Sequence, residues 1–221
     1  MRRGMISADQ RIELDRGLKG GIRIPAHCEA CRSATSPWDD EYIRWAKFWA
    51  EGLIRIQGQG ANGISATIPN ARPGRFIRAA LSGMSALAER LVETHPAFIA
   101  AVLRGEGQPQ SNNLRFLMAL TPVQEKVSVG GIHQGWQVHF STDGSEVAAP
   151  VSAPSAVIHH APLSLLLVDE STARLYPHVD CTHWLAENAV AVRNDVNLTL
   201  PVVRLVSENR WQPESFEVVS I

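Results

Sequence analysis

Gly105-Glu106-Gly107-Gln108-Pro109-Gln110-Ser111-Asn112-Asn113, followed by Leu114-Arg115-Phe116-Leu117-Met118-Ala119-Leu120, is where the chain changes period. Before it, apolar residues return at helical spacing: Leu81, Met84, Leu87, Leu91, Phe98, Val102 and Leu103. After it, Leu114 to Leu120, Lys126 to Val129 and Gly135 to Phe140 read as strands, the last by apolar–polar alternation. Gly105 to Asn113 is a polar linker between the two regimes. Helices first and strands later, with little βαβ alternation, predict an α+β fold. A mostly helical N-terminal half should pack on a mostly antiparallel β C-terminal half. The expected division is a basic helical lobe, 1–104, and an acidic β lobe, 114–221, either separate or merged into one continuous domain.

Upstream of the switch, Pro96 should break the helical pattern after His95, giving helices near 76–94 and 96–104. Ser36-Pro37-Trp38-Asp39 reads as a helix start, with Ser36 as N-cap and Pro37 in the first turn. That helix should stop at Gly52. Its Trp38, Tyr42, Trp45 and Trp49 recur every three or four residues, the mark of one core-facing stripe. Leu53 to Ile56 reads as a short strand and Ile64 to Pro69 as another. The glycine-rich loop between them, 57–63, lacks the Gly-Lys-Ser/Thr of a P-loop and opens no helix, which excludes nucleotide binding by that motif. Residues 1–25 read as a strand or short hairpin.

Downstream, Thr142-Asp143-Gly144 is a turn and Val147 to Ala156 an extended connector. Val157 to Val168 and Leu198 to Val206 are apolar enough for buried strands. Thr182 to Arg193 fits a helix, and Phe216 to Ile221 a terminal edge strand.

The chain has 221 residues, 45% of them hydrophobic, which suffices for a core without staples. No run approaches the roughly eighteen apolar residues that a membrane span needs. The N-terminus has basic residues without an apolar segment behind them, unlike a secretory signal. Three cysteines, two of them in one C-x-x-C, argue against a disulfide framework and for a reducing cytoplasm. The net charge of −1 conceals a split. Residues 1–120 hold sixteen Lys+Arg against eleven Asp+Glu, a net of +5, and residues 121–221 hold five against eleven, a net of −6. Opposite-sign halves suit a polyanion partner for the first half, or two lobes that attract each other.

Three constellations could carry chemistry. Cys28 and Cys31 can grip one zinc, with sulfurs about 2.3 Å from the metal, and Cys181 with His183 could complete a tetrahedron. His178 could replace His183. A redox C-x-x-C would want a βαβ context, absent here, and plain packing is the third reading of these cysteines. The second constellation is His159, His160, Asp169, His178, Asp180 and His183, the residue types of metal-assisted hydrolysis or acid–base work. No metal signature matches their spacing. A hydrolase elbow is excluded, because Ser85 lies in Gly83-Met84-Ser85-Ala86-Leu87, without the second glycine. The third constellation is basic. Arg72, Arg75 and Arg78 recur every three residues at a helix start, with Arg55 and Arg44 earlier and Phe76 placed to stack. Guanidinium groups at a helix N-terminus are suited to phosphate.

The C-x-x-C near the N-terminus, the length, and Pro96-Ala97-Phe98 with Asn113-Leu114-Arg115-Phe116 give the chain a likeness to a known family. It resembles the small Cas8-like subunit of type IV CRISPR interference complexes. The resemblance implies a zinc-stabilised module in an RNA-guided complex, contacting duplex DNA near the protospacer-adjacent motif. That family shows a second C-x-x-C soon after the first, and this chain does not.

The expected function is a non-enzymatic cytoplasmic subunit of a larger assembly. Its partners would be other protein subunits and nucleic acid, with Arg55, Arg72, Arg75 and Arg78 as contacts and no membrane. The alternatives are a metal-dependent enzyme using the 159–183 cluster and a protein–protein adaptor.

Overall fold

Trp38, Trp45 and Trp49 do lie on one buried stripe, but the helix that carries them is longer than its local signals say. In the computed structural model, which describes residues 29–56, 62–105, 109, 113–122, 128–133, 136–140, 155–207, 210–213 and 218–220, α1 runs Glu29–Ile56. It passes through Pro37 rather than starting there. A proline inside a helix costs about 3 kcal/mol. Burying Trp38, Trp45, Trp49 and Ile56 contributes about 1.5–3 kcal/mol each and outweighs it. The expected strand Leu53–Ile56 is the last turn of the same helix, because Leu53 and Ile56 extend the buried stripe.

β1 (Gly63–Ala71) follows, longer than expected. α2 (Pro73–Leu87) and α3 (Glu89–Thr94) replace the single helix expected near 76–94; Ala88, with φ −121° and ψ 79°, divides them. α4 (Pro96–Arg104) starts at its proline as expected and ends on Gly105, whose φ of 72° is left-handed. A Cβ there would stand 3.2 Å from the Trp38 ring, so both backbone and space call for glycine.

Past the linker come β2 (Leu114–Leu120), β3 (Ser128–His133) and β4 (Trp136–Phe140). The apolar run expected as one strand, 157–168, is a hairpin of β5 (Ala156–His160) and β6 (Leu163–Asp169). Pro162 interrupts it, having no N–H for a ladder. A short α5 (Glu170–Ala173) and β7 (Val179–Asp180) follow. Thr182–Ala186 is one 3-10 turn instead of a helix to Arg193. The strand expected at 198–206 is two, β8 (Arg193–Pro201) and β9 (Val203–Ser207). β10 (Arg210–Pro213) and β11 (Val218–Ser220) end the chain's described strands. The expectations for 1–25, for the loop centred on 57–61 and for the turn at 142–144 lie outside the described residues.

The architecture is α+β, with helices in the first half and mostly antiparallel strands in the second. Six strands pair antiparallel in the order β4-β3-β5-β6-β2-β7. A second sheet has the order β11-β1-β8, so the first half's only described strand is sandwiched by two from the second half. Val202 joins the sheets by a bridge to Leu120.

β2 and β6 are buried on both faces. Phe116, Met118, Leu120, Leu163, Leu165 and Leu167 face the tryptophan stripe and α2 in one core that spans Trp45 to Val202. Leu117, Ala119, Leu166 and Val168 face the other way with Val157 and Val203, under Ala173 and Tyr176. Continuous apolar runs, not alternation, are what such two-sided burial requires.

Candidate functional site

The arginine cluster turns inward. α2 begins at Pro73, so Arg75 and Arg78 lie one turn apart on its first two turns. Arg78 is fully buried. Its guanidinium donates to the carbonyls of Gly74 at 2.8 Å, Glu187 at 2.6 Å and Leu185 at 3.2 Å. Arg75 donates from Nε to the carbonyl of Ala189 at 3.1 Å. The Leu185, Glu187 and Ala189 carbonyls lie at the end of the 3-10 turn and just past it, so the arginines of α2 hold the stretch that had been expected to continue as a helix to Arg193. Gly74 completes the junction, since a Cβ there would stand 2.7 Å from the Glu187 carbonyl oxygen. Arg78 is therefore corrected from a phosphate ligand to an internal tie between the two halves. A buried guanidinium has no route to a phosphate, and its planar fork suits several carbonyls at once. Arg72 is half-buried and Arg55 exposed on the last turn of α1.

A second internal tie was not legible in advance. Glu41 on α1 is buried and accepts from Arg44, from the Trp45 indole at 2.8 Å and from the backbone N–H of Arg72 at 2.9 Å. Burial raises its carboxyl pKa, but these hydrogen bonds together hold it below the ordinary value. Arg44 also donates to the carbonyls of Pro69 at 2.9 Å and Asn70 at 3.1 Å, fastening β1 to α1. Arg115 pairs with Glu170 and, at 3.7 Å, with Asp180. Among the described residues, these ion pairs and hydrogen bonds fasten neighbouring elements to one another.

The histidine–aspartate group separates into two. His159 on β5 stands in register with Ser164 on β6. Its Nδ1 is 2.9 Å from Ser164 Oγ, and its Nε2 is 3.3 Å from Thr121 Oγ1. Ser164 Oγ is also 3.0 Å from His178 Nε2. Thr121, His159 and Ser164 are buried, and His178 is partly covered with its Nδ1 shielded from solvent. Burial pushes His159 down to about 4, with His160 adding to it, and His178 down to about 3, with His159 adding to it. Both rings are neutral at pH 7.

The remaining members point elsewhere. Asp169 caps α5 through Ser171 N–H at 2.9 Å. Asp180 accepts from Thr182 N–H at 2.8 Å. His160 donates to the Ala161 carbonyl at 2.8 Å, and His183 is exposed beside Trp184. A serine flanked by imidazoles has the parts of a nucleophile and base. Here Ser164 is wholly buried between strands, so the geometry makes it a bridge and not an attacking group. Thr121 and Ser164 escaped the sequence reading. A two-residue turn at Ala161-Pro162 would have paired His159 with Ser164, and Pro162 was the available signal.

Of the zinc candidates, Cys181 is buried in the main core, its N–H donating to the Phe116 carbonyl at 2.9 Å. Burial, with Asp180, raises its thiol pKa, which opposes the thiolate that zinc requires. Cys28 and the side chain of Cys31 lie outside the described residues, and among those described no group of three His, Cys, Asp or Glu could hold a metal. No described helix is long and apolar enough to cross a membrane.

One surface element stands out from this geometry. Val190 and Val192 are 67% and 50% exposed, on the segment that Arg75 and Arg78 pin. Asn188 fixes it further, its side chain accepting from Val190 N–H at 3.0 Å and its carbonyl from Ala191 N–H at 3.0 Å.

Compared with protein-family models, curated proteins and solved structures, the chain has no match.

Proposed function

We propose that the protein is a non-enzymatic subunit of a larger assembly. The observation that carries this reading is the pinned 187–193 segment, which holds two aliphatic side chains out in solvent. A flexible loop could fold such side chains away. One fixed by two arginines and an asparagine cannot, and it meets a partner with its ordering cost already met. The partner we assign to it is another protein subunit with an apolar counter-surface.

Nucleic acid is the second partner in this reading, met through the basic first half. With Arg78 internal and Arg75 spent on Ala189, the contact falls to Arg55 and Arg72. Two neutralised duplex phosphates give a log–log salt slope of about −2, at about −0.9 per phosphate. Such contacts position a protein without reading bases. A role like that of the small Cas8-like CRISPR subunit would make these demands, and zinc on Cys28 and Cys31 would belong to that role.

Co-purification from the native source tests the proposal. The protein should elute with other chains at fixed stoichiometry. The double variant Val190→Asp/Val192→Asp should lose them while keeping its melting temperature. Arg55→Ala/Arg72→Ala should lower the co-eluting absorbance at 260 nm and leave the protein partners. Unchanged partners in the valine variant would move the docking surface elsewhere. Unchanged nucleic acid in the arginine variant would do the same for the polyanion contact.

A further inference from the structure

The outer side of α1 reads nearly the same from either end. Trp38, Trp45, Trp49 and Ile56 take one side of the helix into the core. The opposite side carries Ile43, Lys47, Glu51 and Ile54, four, four and three residues apart. At about 3.6 residues per turn these side chains form one straight row about three turns long. All are exposed, Ile43 at 47% and Ile54 at 69%. In both directions the row is isoleucine, charge, charge, isoleucine, with the signs of the charges exchanged.

We propose that this row is a contact between two copies of the chain, whose α1 helices pair antiparallel about a two-fold axis passing between Lys47 and Glu51.

A two-fold contact presents the same patch twice, so the patch must complement itself. Antiparallel pairing centred at the level of Trp49 achieves this. Ile43 meets Ile54 of the second copy and Lys47 meets its Glu51, each twice by symmetry. Asp40, just before Ile43 on this face, comes level with the end of the other helix, whose last turn carries Arg55. Parallel pairing would set Lys47 against Lys47 and Glu51 against Glu51, so the charges select the antiparallel direction. Exposed apolar side chains scattered singly are ordinary. Two isoleucines at matched distances from a pair of opposite charges are not scattered, and they specify both the occupant and its direction. The contact is small: Ile43, Lys47, Glu51 and Ile54 of each copy, against the about 20–30 residues a side of a standard interface. It is therefore weak, and it acts between copies that the assembly already holds together, where the effective concentration is high. It is separate from the docking surface at 187–193 and does not depend on it.

Sedimentation equilibrium of the full chain carrying Val190→Asp/Val192→Asp isolates this contact from the other surface. At low salt the average mass should stay near 24.2 kDa at about 10 μM and rise towards twice that as the chain nears about 1 mM. In the same background, Lys47→Glu alone or Glu51→Lys alone turns two attractions per dimer into two repulsions and should weaken association about tenfold. Both positions are exposed, so the melting temperature should hold. An equimolar mixture of these two variants sets an acidic row against a basic one, restores both attractions, and should associate at least as tightly as the unaltered row. An average mass that does not rise by about 1 mM would overturn the proposal. Self-association unchanged by Lys47→Glu would overturn it too, as would a mixture no tighter than its separate components.

Discussion

Arg78→Met removes the tie between the two halves while keeping most of the side chain's apolar stem. The guanidinium makes two short bonds, to Gly74 and Glu187 at 2.8 and 2.6 Å, and a longer one to Leu185 at 3.2 Å. A hydrogen bond to a charged group contributes about 1.5–3 kcal/mol, and a buried acceptor left unpaired costs about 1–3 kcal/mol. Counting the two short bonds and discounting the long one gives a loss of about 3–6 kcal/mol. That is a large part of the 5–15 kcal/mol typical of a folded domain. Urea unfolding followed by tryptophan fluorescence measures it. With a slope of about 2 kcal/mol per molar, the midpoint should fall by about 1.5–3 M. Arg78→Lys should recover less than half, because an ammonium cannot span three carbonyls in one plane. A midpoint for Arg78→Met within about 0.3 M of the parent would refute the internal role and return Arg78 to the surface.

Other expectations follow from the same geometry. Gly74→Ala must push the Glu187 and Asn188 carbonyls, 2.7 and 2.9 Å from the new Cβ, and should cost about 1–3 kcal/mol by urea unfolding. Burial holds His159 at about 4 and His178 at about 3, so between those values and pH 6.5 the unfolded chain binds more protons. Stability should therefore be full above pH 6.5 and fall below it, by about 1.4 kcal/mol per pH unit for each ring, a slope that His159→Gln/His178→Gln should flatten relative to the parent. Cys181→Ser should destabilise by about 1–3 kcal/mol equally with zinc and with chelator, since a buried thiol in an apolar core is being made polar. A loss seen only in the zinc-loaded protein would make Cys181 a ligand instead.

The class of fold was legible because it depends on period alone. The change at Gly105–Asn113 divides a mostly helical part, which holds β1, from a mostly β part, which holds the short α5, in the structure. Boundaries were less legible wherever long-range contacts overrode local ones. Pro37 and Gly52 look like a helix start and stop, yet the tryptophan stripe carries α1 through both. Residues 182–193 have a helical pattern, but the carbonyls of Leu185, Glu187 and Ala189 are taken by arginines over a hundred positions away. The charge split was visible, and both of its explanations were open. Nothing in Arg72-x-x-Arg75-x-x-Arg78 says that the third side chain points into the protein, because that depends on what packs against α2. His159 and His178 were singled out for chemistry, while Ser164, which joins them, was hidden in a run that reads as one apolar strand.

The pinned segment at 187–193 is the docking surface of the proposed subunit. The most direct measurement is the mass of the complex isolated from the native source at low salt, for the parent and for Val190→Asp/Val192→Asp. The parent should run well above the 24.2 kDa of the single chain, with other polypeptides in fixed ratio, and the variant should run as the folded single chain. A parent that runs alone at 24.2 kDa, or a variant that keeps the same partners in the same ratio, would contradict it.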